Sequence, residues 1–309
     1  MKKFLALWGV WAITVASAQQ APAPAKGVPQ SSTGTISLDV TRVNFLFAVT
    51  DKKGRFVTNL VQDDFEIIES KKTQNILEFV AESNLPLRLG ILVDTSNSIR
   101  DRIRFQQEAA MEFLKSVLRE QDKAIVVSFD SSAELIADMT NDMDKLEKSV
   151  RQLRAGGGTA LYDAIYFTSR DKMMQDQPMH KFRRAIILLS DGDDNQSRYT
   201  REQALEMAQK ADTSIYTIST NITKMPSDGD KVLKYYSEQT GGTYFSPFKA
   251  SDLSQSFENI ANELRCQYNI LYRPEPLKTD GLFQPVTIRV KTRKDLIVRT
   301  RKGYYAPRS

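Results

Sequence analysis

Three short segments of this 309-residue chain carry oxygen-bearing side chains at spacings that could hold a metal ion. One is the run D-T-S-N-S from Asp94 to Ser98, another is Thr159 after three glycines, and the third is Asp191 in L-L-S-D-G-D-D. Carboxylate and hydroxyl oxygens without His or Cys select a hard cation, which is Mg²⁺ first, with Mn²⁺ or Ca²⁺ also fitting and zinc disfavoured. The candidate ligands are Asp94, Ser96, Ser98, Thr159 and Asp191.

The elements that must position these residues are apolar runs separated by helical patterns. The run Leu87 to Val93 leads directly into Asp94, and the run Ala185 to Leu189 leads into Asp191. Such alternation predicts an α/β fold, a doubly wound and mostly parallel sheet with helices on both faces. The carboxyl ends of its strands share one edge, so the three segments should converge there. The two other predicted buried runs are Ala124–Phe129 and Ile215–Ile218.

The chain divides into segments of different composition and hydrophobic pattern. Residues 1–18 read as a signal peptide cleaved after Ala18, because the apolar run is shorter than the ~20 residues of a membrane anchor. Residues 19–35 read as a flexible linker, and residues 85–266 as the α/β domain. Two β-rich flanks, residues 36–84 and 267–309, are expected to pack together as a small companion domain. These features predict a secreted, periplasmic or cell-envelope protein with no transmembrane segment after cleavage.

Composition argues against several classes of function. The chain has 43 Lys and Arg against 38 Asp and Glu, without a dense basic block, so we expect no nucleic-acid partner. The single histidine, His180, lies in a polar stretch and does not suit a Ser-His-Asp triad. The single cysteine, Cys266, continues a helical pattern after Leu264, which favours a buried apolar role over a reactive thiol.

The three motifs, occurring in this order at strand ends, resemble the metal-ion-dependent adhesion site (MIDAS) of von Willebrand factor A domains. The resemblance covers about Pro86 to Leu264, and the flanks look like a VWFA-related group of secreted bacterial proteins. It implies that Ser96 and Ser98 bind the metal directly and that Thr159 does so directly or through water. It also implies that Asp94 and Asp191 contribute mainly through water.

The resemblance favours a protein-binding module of the adhesion type and not an enzyme. Neutral direct ligands leave the cation attractive to a carboxylate, so the expected partner is a protein that presents an Asp or Glu side chain. One alternative is a cell-envelope scaffold in which the metal only stabilises loops. Another is a metal-assisted hydrolase using Asp94, Asp163 and Asp191. The candidate partner-binding rim comprises Asn97, Arg100, Tyr162, Asp193 and Arg198.

A calcium-loop interpretation competes for the Asp191 segment. Six residues occupy the spacing of positions 1, 3, 5, 7, 9 and 12 of such a loop. Position 6 is Gln196 where a glycine is needed, and a buried strand precedes the segment, so this interpretation is disfavoured. The six are Asp191, Asp193, Asn195, Ser197, Tyr199 and Glu202.

Overall fold

The computed structural model describes residues 42–81, 85–221, 223, 225–247 and 250–308, without the side chains of residues 179 and 250–253. The predicted signal peptide, the linker and the first residues of the amino-terminal flank lie outside the described residues. No helix within the described ranges is long and apolar enough to cross a membrane.

Strands and helices alternate in the middle of the chain, and strands dominate both flanks. In chain order, the strands are β1 (Val43–Thr50), β2 (Phe65–Glu69), β3 (Lys72–Gln74), β4 (Ile76–Val80), β5 (Leu87–Asp94), β6 (Lys123–Phe129), β7 (Ala133–Thr140), β8 (Arg183–Ser190), β9 (Thr213–Ser219), β10 (Tyr244–Phe245), β11 (Tyr268–Tyr272), β12 (Phe283–Val290), β13 (Ile297–Arg299) and β14 (Gly303–Tyr305). The α-helices are α1 (Ile103–Val117), α2 (Met143–Arg151), α3 (Leu161–Thr168), α4 (Arg201–Lys210), α5 (Asp228–Thr240) and α6 (Ala250–Arg265). Short 3-10 turns cover Gln62–Asp64, Asn97–Arg102 and Met179–Lys181, and a π turn covers Ser169–Met173.

The central sheet has the strand order β10-β9-β8-β5-β6-β7, and only β7 runs antiparallel to its neighbour. Every residue of β5 and β8 is buried, because helices cover both faces. Leu89 packs with α1 and α6 on one face, and Leu92 packs with α3, α4 and α5 on the other. The predicted doubly wound α/β sheet is therefore confirmed. Seven of the eight residues of the edge strand β7 are half-buried or exposed, so it has no buried apolar run and the apolar pattern did not reveal it.

The two flanks contribute strands to the same pair of four-stranded sheets. One sheet has the order β13-β1-β11-β4 and the other β14-β12-β2-β3. In each sheet, strands that precede the central domain pair with strands that follow it, as in Phe47 opposite Tyr268. The apolar faces of both sheets share one buried cluster that includes Phe45, Phe65 and Ile288.

The end of the last helix differs from the sequence-based expectation. Helix α6 ends at Arg265, so Cys266 follows the helix and does not continue it. Its thiol is half-buried, where a fully buried apolar role was expected. The chain leaves the helix there to begin β11, and the apolar role of Cys266 over a reactive thiol stays a prediction.

Candidate metal centre

Four of the five candidate ligands lie in one hydrogen-bonded series at the carboxyl edge of the central sheet. Strand β5 ends at Asp94, whose Oδ1 accepts the backbone N–H of Ser96 at 2.9 Å. The Oγ atoms of Ser96 and Ser98 are 2.9 Å apart, and Ser98 Oγ donates to Asp191 Oδ2 at 2.7 Å. Ser98 is exposed and Asp191 is half-buried, so the outer side of this series faces solvent.

Asp94 lies beneath the series and is fully buried. Burial raises the pKa of its carboxyl to about 6, while the hydroxyl of Ser190 opposes the rise by donating to Asp94 Oδ2 at 2.6 Å. Ser190 Oγ also accepts the backbone N–H of Gly192 at 2.9 Å. Ser190 thus joins the two strand ends, a role that the sequence analysis missed although the residue immediately precedes Asp191.

Thr159 is held beside the series by its backbone. Its N–H donates to Asn195 Oδ1 at 2.9 Å, and its carbonyl accepts the N–H groups of Asn195 and Gln196 at 2.9 and 3.0 Å. The same glycine-rich segment is tied to the first loop, because Asn97 N donates to Gly157 O at 3.2 Å. Thr159 is 4% exposed. The three predicted loops therefore meet, with Asn195 as a link that the motif analysis did not identify.

The loop after β8 is shaped by a close backbone approach. Gly192 has φ +87°, and a Cβ at this position would stand 2.2 Å from the carbonyl oxygen of Gly229 at the start of α5. Only glycine fits such a contact and such a backbone angle. This approach fixes the path of the chain immediately after Asp191.

Side chains of the loop after β8 form hydrogen bonds with the start of helix α3. Asp194 Oδ2 accepts the N–H of Tyr162 at 3.1 Å, and Ser197 Oγ accepts the N–H of Asp163 at 3.0 Å. These bonds satisfy backbone donors in the first turn of the helix, which have no partner within it. Together with the Asn195 bond to Thr159, they show a loop that clamps a helix start.

Asp163 on helix α3 accepts hydrogen bonds from the same loop. It is buried, and its Oδ1 accepts the N–H groups of Arg198 and Tyr199 at 2.9 and 3.0 Å. Asp163 therefore ties α3 to the Asp191 loop, and the hydrolase alternative had assigned this carboxylate to catalysis. His180 and Asp191 lie at opposite ends of β8, and an eight-residue strand spans about 25 Å. His180 is therefore remote from the candidate metal site.

The rim residues do not form one uniform surface. Arg100 donates to Asn97 Oδ1 at 2.9 Å, and both side chains are exposed beside the series. Asp193 and Arg198 are also exposed on the Asp191 loop, and burial together with Asp191 raises the pKa of Asp193. Tyr162 is half-buried, with its ring centroid 6.2 Å from that of Tyr236.

The donor set fits a small divalent cation. Adjacent oxygens around an octahedral ion with bonds of about 2.0–2.1 Å are about 2.8–3.0 Å apart. The Ser96 and Ser98 hydroxyls are separated by 2.9 Å, so a small ion requires no spreading of the two side chains. Each hydroxyl oxygen can bind an ion once the hydrogen bond between the two serines is broken.

Residues 89–193 match the family described as the von Willebrand factor type A domain, and the chain contains a domain of this family. A human protein, von Willebrand factor A domain-containing protein 3B, is 27% identical over 179 residues. That match covers 56% of this chain and 13% of the human protein, so the chain spans a small part of that relative's length.

Several solved structures are similar to this chain at low sequence identity. Proximal thread matrix protein 1 from the mussel byssus has a TM-score of 0.50 and 14% identity, covering 64% of this chain and 51% of the solved one. A second structure of the mussel protein, with a zinc-occupied MIDAS motif, has a TM-score of 0.49 and 15% identity over 62% and 48% of the two chains. A von Willebrand factor type A protein from Catenulispora acidiphila has a TM-score of 0.49 and 14% identity over 88% and 75%.

Domains of this family use a divalent metal at their MIDAS motif and are generally interaction modules. The expectation against zinc stays a prediction for this chain.

Proposed function

We propose that this protein is an exported, divalent-metal-dependent protein-binding module of the adhesion type. The observation that carries the proposal is the series from Ser96 through Ser98 to Asp191, which presents oxygen atoms 2.9 and 2.7 Å apart at a solvent-facing edge. Export rests on the amino-terminal Lys2-Lys3 and the apolar run that follows them.

The residues that would hold the ion divide by their charge. We assign direct ligation to the hydroxyls of Ser96, Ser98 and Thr159, and contact through water to Asp94 and Asp191. The 2.9 Å separation of the two serine hydroxyls fits the octahedral shell of Mg²⁺ or Mn²⁺, and the all-oxygen donor set also admits Ca²⁺. Burial of Asp94 beneath the hydroxyls places a carboxylate where it can orient water and the Ser96 backbone without capping the outer face.

The partner follows from the charge of this arrangement. A bound ion with neutral direct ligands would supply uncompensated positive charge at the solvent side, which attracts an Asp or Glu carboxylate of another protein. A single such contact does not give tight binding, so affinity must come from the surrounding rim, and specific interfaces bury about 1,200–2,000 Å². The exposed Asn97 and Arg100 pair lies next to the hydroxyls and is the first candidate for that rim.

Metal binding can be tested without a partner. Titration calorimetry with MgCl₂ should show one site in the wild type and at least a tenfold weaker one in Ser96→Ala. Ser116→Ala is the matched control, because this hydroxyl donates to Phe113 O on helix α1. Equal Mg²⁺ affinity in the wild type and both variants would contradict the assignment of Ser96 to the metal site.

Partner binding needs a second experiment. Proteins captured from an envelope fraction in Mg²⁺ should be released by EDTA and lost with Ser96→Ala or Thr159→Ala. An identified partner should lose binding when one carboxylate is changed to its amide. A domain that loses thermal stability in EDTA but captures nothing in a Mg²⁺-dependent way would instead support the scaffold alternative.

A further inference from the structure

The positive charge of the chain is concentrated at two turns of the β-rich flanks. Residues 51–55 and 289–295 contain seven Lys and Arg against two Asp, an excess equal to that of the whole chain, where 43 face 38. The rest of the protein is therefore balanced in charge.

The two turns are neighbours in space. Arg293 interacts electrostatically with Asp51, and Asp295 with Lys52, although the turns are about 240 residues apart in the chain. Strand pairing explains the proximity, because Thr50 at the end of β1 lies opposite Ile297 at the start of β13.

Three acidic side chains in this region pair with arginines, and a fourth, Asp64, accepts the hydroxyl of Thr292 at 3.2 Å. Asp51 Oδ2 pairs with Arg55 Nη2 at 2.7 Å, and Asp51 Oδ1 also accepts the N–H groups of Lys53 and Arg55. Asp295 Oδ2 pairs with Arg293 at 2.9 Å. A third arginine, Arg289, pairs with Glu66 at 2.7 Å.

Four exposed lysines remain after the arginines pair with Asp51, Asp295 and Glu66, and we call them the basic patch: Lys52, Lys53, Lys291 and Lys294. None of the four has an ion-pair partner within 4.0 Å among the described residues. Lys291 and Lys294 also line an open groove of about 540 Å³ whose other lining residues include Leu296 and Val298. Ile297, between Leu296 and Val298 in the sequence, is 52% exposed on the other face of strand β13.

We propose that the basic patch docks the protein on an anionic phospholipid surface. Exposed lysines on adjacent turns match the chemistry of an anionic headgroup layer. A protein partner is less suited, because protein interfaces are depleted in lysine and enriched in aromatic residues and arginine. The patch is separate from the Ser96 and Asp191 site, so the two proposals stand or fall independently.

Vesicle flotation in EDTA tests the patch while metal bridging to headgroups is suppressed. The full protein should float with phosphatidylcholine vesicles that contain about 30% phosphatidylglycerol and stay behind with pure phosphatidylcholine. Lys291→Glu/Lys294→Glu should weaken flotation at least tenfold, since each cation near such a surface contributes about fivefold. Raising the salt from about 0.1 to 0.5 M should also abolish flotation.

A charge-matched control separates the patch from net charge. Lys145→Glu/Lys148→Glu changes two exposed lysines on helix α2 by the same total charge and should float like the wild type. Circular dichroism and the Mg²⁺ titration verify that both variants fold. Equal losses in the two variants, or no preference for phosphatidylglycerol, would overturn the proposal. Soluble polyglutamate that displaces the wild type from vesicles at an equal concentration of charge would also overturn it, and would assign the patch to an acidic protein.

Discussion

Asn195 Oδ1 accepts the backbone N–H of Thr159 at 2.9 Å, and this bond joins the loop after β8 to the start of helix α3. The side chain thereby fixes a residue 36 positions earlier in the chain, on the side of the sheet edge where the serine hydroxyls lie. A group that orients a ligand affects metal affinity without touching the metal.

Asn195→Ala should therefore weaken Mg²⁺ binding about fivefold, the equivalent of one hydrogen bond of about 1 kcal/mol. The two bonds to the Thr159 carbonyl come from backbone N–H groups and persist. Calorimetry measures the affinity, and Asn195→Asp keeps an acceptor oxygen and should retain binding. Asn141→Ala is the control, because it removes a side-chain hydrogen bond to Glu120 O outside the three metal-site loops and should leave the Mg²⁺ affinity unchanged. Equal affinities for Asn195→Ala and the wild type would show that Thr159 needs no such support.

The second prediction concerns pH and Asp94. Burial raises the pKa of this carboxyl from 3.8 to about 6. A carboxyl with a higher pKa in the folded chain stabilises the fold in its protonated form. That contribution is complete below about pH 3.8 and is lost as the pH rises through about 6.

In EDTA, the free energy of unfolding of the wild type should thus fall by about 2–3 kcal/mol, relative to Asp94→Asn, between pH 4 and pH 7.5. Denaturant titrations at several pH values measure the difference between the two proteins. The affinity of the wild type for Mg²⁺ should fall as the pH drops below about 6, because a proton competes for the carboxylate. If the free energies of unfolding of the wild type and Asp94→Asn change in parallel with pH, the titrating group is not Asp94.

The candidate ligands could be predicted because each lies next to a local signal. Asp94 directly follows an apolar run, Asp191 follows another with only Ser190 between, and the ends of buried strands can be predicted from the hydrophobic pattern alone. Ser190 and Asn195 could not be assigned, because their partners Asp94 and Thr159 are remote in sequence and adjacent only after folding.

Two errors in the fold have a similar origin. Strand β7 is an exposed edge, so packing and not composition decides its conformation. Cys266 was expected to lie in a helical pattern, but the chain leaves helix α6 at Arg265 to begin the strand that pairs with β1. The assignment of individual flank strands to two separate sheets also had no counterpart in a local pattern.

The third prediction concerns Glu69, a buried carboxylate that links the two flanks. Its oxygens accept the hydroxyls of Tyr272 at 2.7 Å and Tyr304 at 3.1 Å, so an amino-terminal residue depends on two carboxyl-terminal ones. Tyr272→Phe/Tyr304→Phe should lower the free energy of unfolding by about 2–4 kcal/mol, because a buried carboxylate loses both donors. Tyr305→Phe is the control, since its hydroxyl makes no hydrogen bond within the described residues. Urea unfolding of the three proteins measures the effect, and a loss below about 0.5 kcal/mol in the double variant would mean that Glu69 finds other donors.

The last prediction concerns the ion pair between Arg299 of β13 and Glu263 of α6. Arg299 Nη1 lies 2.7 Å from Glu263 Oε2 and also donates to Thr243 Oγ1 at 2.8 Å. The side chain of Glu263 is 3% exposed, and burial raises the pKa of its carboxyl while Arg299 opposes the rise. A strand of the flanking sheets thus provides a positive charge that favours the ionised form of a carboxylate on the last helix, against the effect of burial.

Arg299→Ala should destabilise the protein by about 3 kcal/mol at pH 8, because breaking a buried pair leaves one charge uncompensated. The pKa of Glu263 should rise further in the variant, so its carboxyl takes up a proton more readily as the pH falls. The penalty is then relieved, and the difference between variant and wild type should shrink towards pH 5. Arg293→Ala removes an exposed pair with Asp295 and should cost less than about 1 kcal/mol at either pH. A difference for Arg299→Ala that stays constant from pH 8 to pH 5 would show that the arginine acts through packing, because only an uncompensated carboxylate makes the loss depend on protons.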